Sequence, residues 1–136
     1  MRPQRGGREL LPVRAAADAA NCIPAADAVY VGCDVGRVSD LFTIWVVVQR
    51  GGMRRTAAVY GAQDMPFDQM EAVLHSIMGL RLGRGYLIRR MAIDATGLGM
   101  QLAERMFNRY STRVERVTVT ASVKEDLVPT ARRDFE

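Results

Sequence analysis

The chain has 136 residues, of which 49% are hydrophobic and 25% charged, and its formal net charge is +4. This length and apolar content suit one domain with a buried core and exclude a disordered chain. No apolar run reaches the ~20 residues of a membrane-spanning helix, so no membrane partner is expected. Among the 19 basic residues only Lys124 is a lysine, a bias that favours phosphate contacts and a nucleic-acid partner but also arises in GC-rich genomes.

Residues 1–27 combine Arg, Pro, Gly and Ala with little periodicity, and we predict a linker or disordered tail there. The folded domain is expected to occupy residues 28–136. It begins with Ala28-Val-Tyr-Val-Gly-Cys-Asp-Val-Gly36, in which an apolar run ends on one carboxylate and then on glycine. This pattern predicts a buried strand from about Val29 that places Asp34 at the edge of a sheet.

Neighbouring residues of a strand point to opposite faces, so Cys33 is expected to be a core thiol on the face opposite Asp34. Cys22 is the only other cysteine. We therefore expect no disulfide framework and a reducing compartment.

Two more strands and a helix follow. Leu41–Gln49 is apolar on both faces, and Gly51-Gly52 is a hairpin signal that predicts an antiparallel return over Arg54–Tyr60. Pro66 suits the first position of a helix. The residues predicted on the inward face of this helix are Phe67, Met70, Val73, Leu74 and Ile77.

The second half of the chain repeats the strand and helix pattern. A fourth strand, Leu87–Asp94, ends on a second aspartate and leads through Thr96-Gly-Leu-Gly99 into a helix over Leu98–Tyr110. A fifth strand is predicted over Arg113–Thr120. A capping-box pattern at Ser122 opens a last helix.

The element order βββαβαβ, followed by a last helix, predicts an α/β fold. Strand–helix–strand crossovers make parallel neighbours, so we predict a mixed five-stranded sheet in the order 3-2-1-4-5 with helices on both faces. Strands one and four then lie about 4.8 Å apart. This topology brings Asp34 and Asp94 together at one edge of the sheet.

Two carboxylates at that separation are candidate ligands for Mg²⁺ or Mn²⁺, hard cations that prefer oxygen, in a two-metal phosphoryl-transfer site. The alternative is that Asp34 and Asp94 each cap an ordinary turn or helix. Asp40 lies near the same edge and is a further candidate ligand, with loop capping as the alternative. The sequence contains no ligand spacing typical of a zinc site and no set of nucleophile, histidine and acid typical of a hydrolase. His75 is expected to be a surface or half-buried helix residue.

The helix that follows Asp94 begins at the glycines of the Thr96–Gly99 turn. Free N–H groups at a helix N-terminus bind phosphate, so Gly97 and Gly99 are candidate nucleic-acid contacts. Arg37 is a third candidate for the same role. A tight turn that needs no ligand is the alternative.

Together these features resemble a known family. An Asp on strand one and another on strand four of this element order resemble the ribonuclease H-like fold. More narrowly, the chain from about Ala28 to Glu136 resembles the C-terminal nuclease domain of phage terminase large subunits. The motifs that carry this resemblance are Val31-Gly-Cys-Asp-Val-Gly-Arg-Val-Ser-Asp40, Met65-Pro-Phe, Ile93-Asp-Ala-Thr-Gly-Leu-Gly99 and Val123-Lys-Glu-Asp126.

The resemblance implies a metal-dependent DNA endonuclease domain of a packaging motor, hydrolysing phosphodiester bonds by a two-metal mechanism in the cytoplasm of the bacterial host. The partners it implies are double-stranded DNA, an ATPase domain, the small terminase subunit and the portal. Asp34 and Asp94 match the first two metal-binding acids of the family, and Asp40 matches an acid often found after the first.

The chain departs from the family pattern at two points. It contains no Walker-type phosphate loop, and the family's third metal-binding acid is expected beyond Glu136, with Asp126 and Asp134 as possible substitutes. We therefore expect a C-terminally incomplete nuclease domain, which is a fragment, a split gene or a prophage remnant, and which cuts DNA weakly or not at all by itself.

Two other functions remain open from the sequence. One is an inactive domain that only binds DNA or a packaging partner. The other is an actin-like nucleotide-binding domain, because that class also has an Asp-x-Gly strand followed by a hairpin. It requires a second phosphate loop and an adenosine site, for which this chain is short, and tight nucleotide binding would favour it.

Overall fold

The computed structural model describes residues 10–15, 23–36 and 41–118 of the chain. These ranges contain eight strands, two α-helices and a short 3₁₀ turn at Ser111–Arg113. In chain order the elements are β1 Leu11–Ala15, β2 Ala28–Val35, β3 Leu41–Arg50, β4 Met53–Gln63, α1 Phe67–Met78, β5 Arg81–Leu82, β6 Gly85–Tyr86, β7 Ile88–Asp94, α2 Leu98–Tyr110 and β8 Val114–Val117.

The main sheet is mixed and has six strands in the order β1-β4-β3-β2-β7-β8. The pairs β1–β4, β4–β3 and β3–β2 are antiparallel, and the pairs β2–β7 and β7–β8 are parallel. The predicted α/β class is therefore confirmed. The five strands expected from the sequence correspond to β4, β3, β2, β7 and β8, which lie side by side in that succession.

The sixth strand corrects the predicted count of five. Leu11–Ala15 lies in the segment assigned to a linker or tail, yet it pairs with β4 at the edge of the sheet. Pro12 has no N–H to donate, which limits such a strand to an edge position, and the pairing register shifts between Pro12 and Arg14. A short strand that contains proline and a register shift has no clear alternation, so its sequence does not indicate a strand.

A second small sheet was also not predicted. Arg81–Leu82 and Gly85–Tyr86 pair as a hairpin between α1 and β7. Gly83 at its tip has φ +62°, a conformation that favours glycine. Strands of two residues are too short to produce a recognisable pattern.

The two described helices lie on the same face of the sheet, and the prediction of helices on both faces stays a prediction. Arg105 of α2 donates a hydrogen bond to Glu71 of α1 at 2.8 Å, and His75 of α1 lies 2.7 Å from the hydroxyl of Tyr110 of α2. The last predicted helix, from Ser122, lies outside the described residues.

The direction of the crossovers explains this placement. β4 is antiparallel to β3, which is antiparallel to β2, so β4 runs parallel to β2 and β7. The crossovers from β4 to β7 and from β7 to β8 both advance across the sheet in the same direction. Two right-handed crossovers with the same direction place their helices on one face. We call this the helical face and the opposite one the second face.

The core lies between the sheet and the two helices. Alternate residues of β2, namely Val29, Val31, Cys33 and Val35, are buried on the helical face. Leu74 of α1 and Leu102 of α2 have no exposed surface. Within the part of the chain that the structure describes, neither helix is long and apolar enough to cross a membrane.

Leu102 and Leu98 provide a matched test of this packing. Leu102 is 0% exposed and Leu98, in the same helix, is 49% exposed. We expect Leu102→Ala to lower the free energy of unfolding by about 2–5 kcal/mol, because the truncation leaves a cavity in the core. Leu98→Ala should change it by less than about 0.5 kcal/mol. Urea denaturation of both variants measures the difference, and equal effects would contradict the assigned helical face.

Candidate metal centre

The pairing register of β2 with β7 places the two strand-end acids side by side. Cys33 is the Cα partner of Ile93 in this parallel pair. One residue further along both strands, Asp34 lies beside Asp94, and parallel neighbours are about 4.8 Å apart. The structure therefore brings these two predicted site residues together.

Both acids point to the second face. Cys33 is 3% exposed and Ile93 is 0% exposed, and both pack in the core on the helical face. Because side chains alternate along a strand, Asp34 and Asp94 project from the other side of the sheet. The thiol of Cys33 is a core thiol as predicted: burial raises its pKa, and the negative charges of Asp34 and Asp94 raise that pKa further.

Asp94 is held by the turn that follows it. The residue is only 6% exposed, and its Oδ1 atom accepts a hydrogen bond of 3.1 Å from the N–H of Thr96. The N–H of Ala95 donates to the carbonyl of Val117 in β8 at 2.7 Å, which anchors the same turn to the sheet. The carboxylate of Asp94 therefore has a fixed position at the end of β7, and turn capping is part of its role.

Asp34 is partly buried and lies at the end of β2. Its antiparallel partner on β3 is Thr43. Gly36, with φ +65°, donates its N–H to the carbonyl of Leu41 at 3.0 Å, so the chain turns immediately after the acid. Arg37 and Asp40, the other candidates from this connection, lie outside the described residues.

The turn at the start of α2 uses several of its own N–H groups. The N–H of Gly99 donates to the carbonyl of Thr96, and that of Met100 donates to Gly97, both at 3.1 Å. Gly97 has φ +60°. The phosphate-binding role expected for Gly97 and Gly99 remains a prediction.

Gly99 also has a packing role that its sequence pattern did not reveal. A Cβ atom at this position would lie 2.1 Å from the backbone carbonyl oxygen of Asp94 and 3.7 Å from the side chain of Val35. Only glycine lets the first turn of α2 approach the ends of β2 and β7 so closely. A glycine that follows a strand-end acid is the sequence signal available for this packing role. The distance between position 99 and the carbonyl of Asp94 itself depends on how α2 packs.

The acid pair fits a hard divalent cation. Carboxylate oxygens are the ligands that Mg²⁺ prefers, and Mg²⁺ is commonly held by one or two protein carboxylates while it keeps several waters. Oδ1 of Asp34 and Oδ2 of Asp94 are both buried, which limits competition from solvent. The described residues contain no group of three or more His, Cys, Asp or Glu side chains suited to a metal. Asp34 and Asp94 are therefore a two-acid set.

His75 belongs to a different surface. It lies on α1, its Nε2 atom is 3.2 Å from Glu71, and its side chain is 36% exposed, as expected for a half-buried helix residue. The hydrogen bond from Arg105 lowers the pKa of Glu71. Because α1 packs on the helical face, the sheet separates this cluster from the acid pair, and His75 is not a general base for that site.

No family model, no curated protein and no solved structure matches this chain. Its function therefore has to be argued from the chemistry of the site itself.

Gly99→Ala tests the close approach of α2 to Asp94. Alanine in an exposed helix usually stabilises relative to glycine, but here its Cβ would overlap a backbone oxygen. We expect a loss of about 1–3 kcal/mol in the free energy of unfolding. Gly85→Ala is the matched control, because a Cβ atom there would have no neighbour within 4 Å and the φ of Gly85 is not positive. An equally stable Gly99→Ala variant would show that α2 lies further from β7.

Proposed function

We propose that this chain is a metal-dependent DNA endonuclease domain of the phage terminase type, acting on phosphodiester bonds. The observation that carries the proposal is the placement of Asp34 beside Asp94 on adjacent parallel strands, both on the face of the sheet opposite the two described helices. Carboxylates paired in this way at strand ends suit two-metal phosphoryl transfer.

The sheet supports the proposal at the level of topology. An antiparallel meander, β4-β3-β2, continues into two parallel strands, β7 and β8. This is the succession implied by the resemblance to the ribonuclease H-like fold, and we propose that fold for the chain. β1 is then an additional edge strand beside β4.

In this proposal Asp34 and Asp94 hold the cation, and Asp40 is a further candidate ligand. A bound Mg²⁺ or Mn²⁺ supplies an activated water and positive charge for the developing negative charge of the phosphate. The turn after β7 orients Asp94 through the N–H of Thr96. The tight turn at Gly36 and the β2–β3 pairing beside Thr43 keep Asp34 at the same edge.

The wider context follows from the same resemblance and is part of the proposal. The substrate is double-stranded DNA. The domain acts beside an ATPase domain, the small terminase subunit and the portal in the cytoplasm of a bacterial host.

A second candidate function is a domain that binds DNA or a packaging partner without cutting. The observation that favours it is the two-acid set, because two-metal hydrolysis requires both ions to be fixed and the described residues offer no third acid in the group. Cleavage assays separate the two candidates.

Metal binding should stabilise the chain. A ligand that binds only the folded state raises the free energy of unfolding by mass action. A metal concentration about tenfold above the dissociation constant raises that free energy by about 1.4 kcal/mol, which corresponds to roughly 5 °C in Tm. We expect thermal melts to rise in millimolar manganese or magnesium. Asp34→Asn should remove most of the rise, whereas Asp68→Asn, an exposed acid of α1, should keep it. An unchanged melt would count against the metal centre.

Cleavage should depend on both acids. In a plasmid-nicking assay with manganese we expect slow conversion of supercoiled to open-circular DNA, and a loss of about 100-fold or more in Asp34→Asn and in Asp94→Asn, because each removes a ligand that positions the ion. Asp68→Asn should nick at the parent rate. If the parent chain binds the plasmid but leaves it intact, the non-cutting candidate is correct.

A further inference from the structure

A concentrated positive surface lies at the opposite end of β7 from the acid pair. The sequence from Ala72 to Ile93 contains no Asp or Glu. Its four arginines, all exposed in the structure, are Arg81, Arg84, Arg89 and Arg90. None of them forms an ion pair with a described residue. We call these four residues and the β5–β6 hairpin that carries two of them the basic hairpin surface.

The hairpin is fixed to the body of the domain. The guanidinium of Arg113 stacks on the ring of Tyr86 at 4.0 Å and donates hydrogen bonds to the carbonyls of Met78 and Ile88 at 3.1 and 2.8 Å. Arg113 thereby joins the end of α1, the hairpin and the start of β7. The N–H of Leu87 donates to the carbonyl of Leu80 at 2.9 Å and closes the base of the hairpin.

The positive group of Arg81 is also ordered within the hairpin. The guanidinium of Arg81 lies over the ring of Tyr86, 4.6 Å from the ring centre, and donates a hydrogen bond to the carbonyl of Arg84 at 2.8 Å. Arg81 keeps further N–H donors, because a guanidinium has five. Groups that are already ordered lose less conformational entropy when they bind a ligand.

The chemistry of this surface matches a nucleic-acid backbone. Every cation in it is an arginine, whose planar fork pairs with two oxygens of one phosphate. Exposed apolar residues follow the cations in the sequence: Leu82, next to Arg81, is 51% exposed, and Tyr86, two residues after Arg84, is 52% exposed. Sugars alternate with phosphates along a nucleic-acid strand, so the ligand offers apolar and anionic groups in the same alternation.

We propose that the basic hairpin surface binds the phosphate backbone of double-stranded DNA as a contact separate from the acid pair. The proposal rests on the proposed function for the choice of DNA as the nucleic acid. β7 has seven residues, so its two ends lie about 20 Å apart, which about six base pairs of a duplex span. One duplex can therefore contact both ends of the strand.

Equilibrium binding in EDTA tests this contact without cleavage. The full chain is titrated into a labelled duplex of about 24 base pairs, and anisotropy is measured over a series of NaCl concentrations. Each phosphate contact contributes about 0.9 to the slope of log K against log salt. We expect the triple variant Arg84→Gln, Arg89→Gln, Arg90→Gln to lower that slope by about 2–3 and to weaken binding at least about tenfold near 100 mM salt.

A triple variant on the helical face is the matched control. Arg105→Gln, Arg109→Gln, Arg116→Gln removes the same formal charge from exposed arginines of α2 and β8, of which Arg105 and Arg116 are ion-paired with Glu71 and Glu104, and we expect a loss of less than about threefold. Circular dichroism melts establish that both variants are folded. An equal loss in both variants would show that only net charge matters and would overturn the proposal, as would a parent chain that does not bind the duplex.

Two further measurements identify the ligand class. Unlabelled duplex should displace the label at a far lower charge concentration than poly-glutamate, and vesicles of anionic phospholipid should not compete. Equal displacement by either competitor would overturn the assignment to DNA. Asp34→Asn combined with Asp94→Asn should bind the duplex in EDTA at least as tightly as the parent does, because the double variant removes two negative charges. A parent chain that binds the duplex but does not nick it contradicts only the nuclease, and a parent chain that nicks while the Arg84, Arg89, Arg90 variant binds as tightly as the parent contradicts only this proposal.

Discussion

The parallel pairing of β2 with β7 is the constraint on which the rest of this structure depends. It joins the antiparallel meander to the parallel half of the sheet. The crossover from β4 that creates it carries α1 over β3 and β2, and the next crossover adds α2 on the same side. One pairing therefore determines which face the two described helices cover, and the register of Cys33 with Ile93 determines which residues lie on each face.

The same register determines both stability and site geometry. Cys33 and Ile93 are core residues, and the next residue on each strand is an aspartate on the opposite face. A slip of one residue in either strand would turn a carboxylate into the apolar core, where an unpaired charge is costly, and would expose an apolar side chain. Selection for a well-packed core therefore also keeps the two acids adjacent, without any direct interaction being needed between them.

The strands and helices with long, regular apolar patterns were predicted from the sequence. The elements that lack such a pattern were not. The apolar runs of β2 and β7, each ending on Asp and followed by Gly, predicted the strands and the adjacency of Asp34 with Asp94. β1 and the hairpin at Gly83 are too short for alternation to be visible. The shared face of the two described helices follows from the handedness of the two crossovers. The need for glycine at position 99 depends on an interatomic distance that no pattern contains.

The sign of the charge differs between the start of β7, at Arg90, and its end, at Asp94. Arg90 and Asp94 are separated by four residues, so they lie on the same face of the sheet and about 13 Å apart. A polyanion is attracted by Arg90 and repelled by Asp94. In the proposed function, a divalent cation at the acid pair would remove that repulsion, because its two positive charges neutralise the two carboxylates and place a cation where the phosphate approaches. Under the two proposals, affinity for the backbone depends mainly on the arginines and close approach to the acids depends on the metal, so binding and cleavage would be physically separable along a single strand.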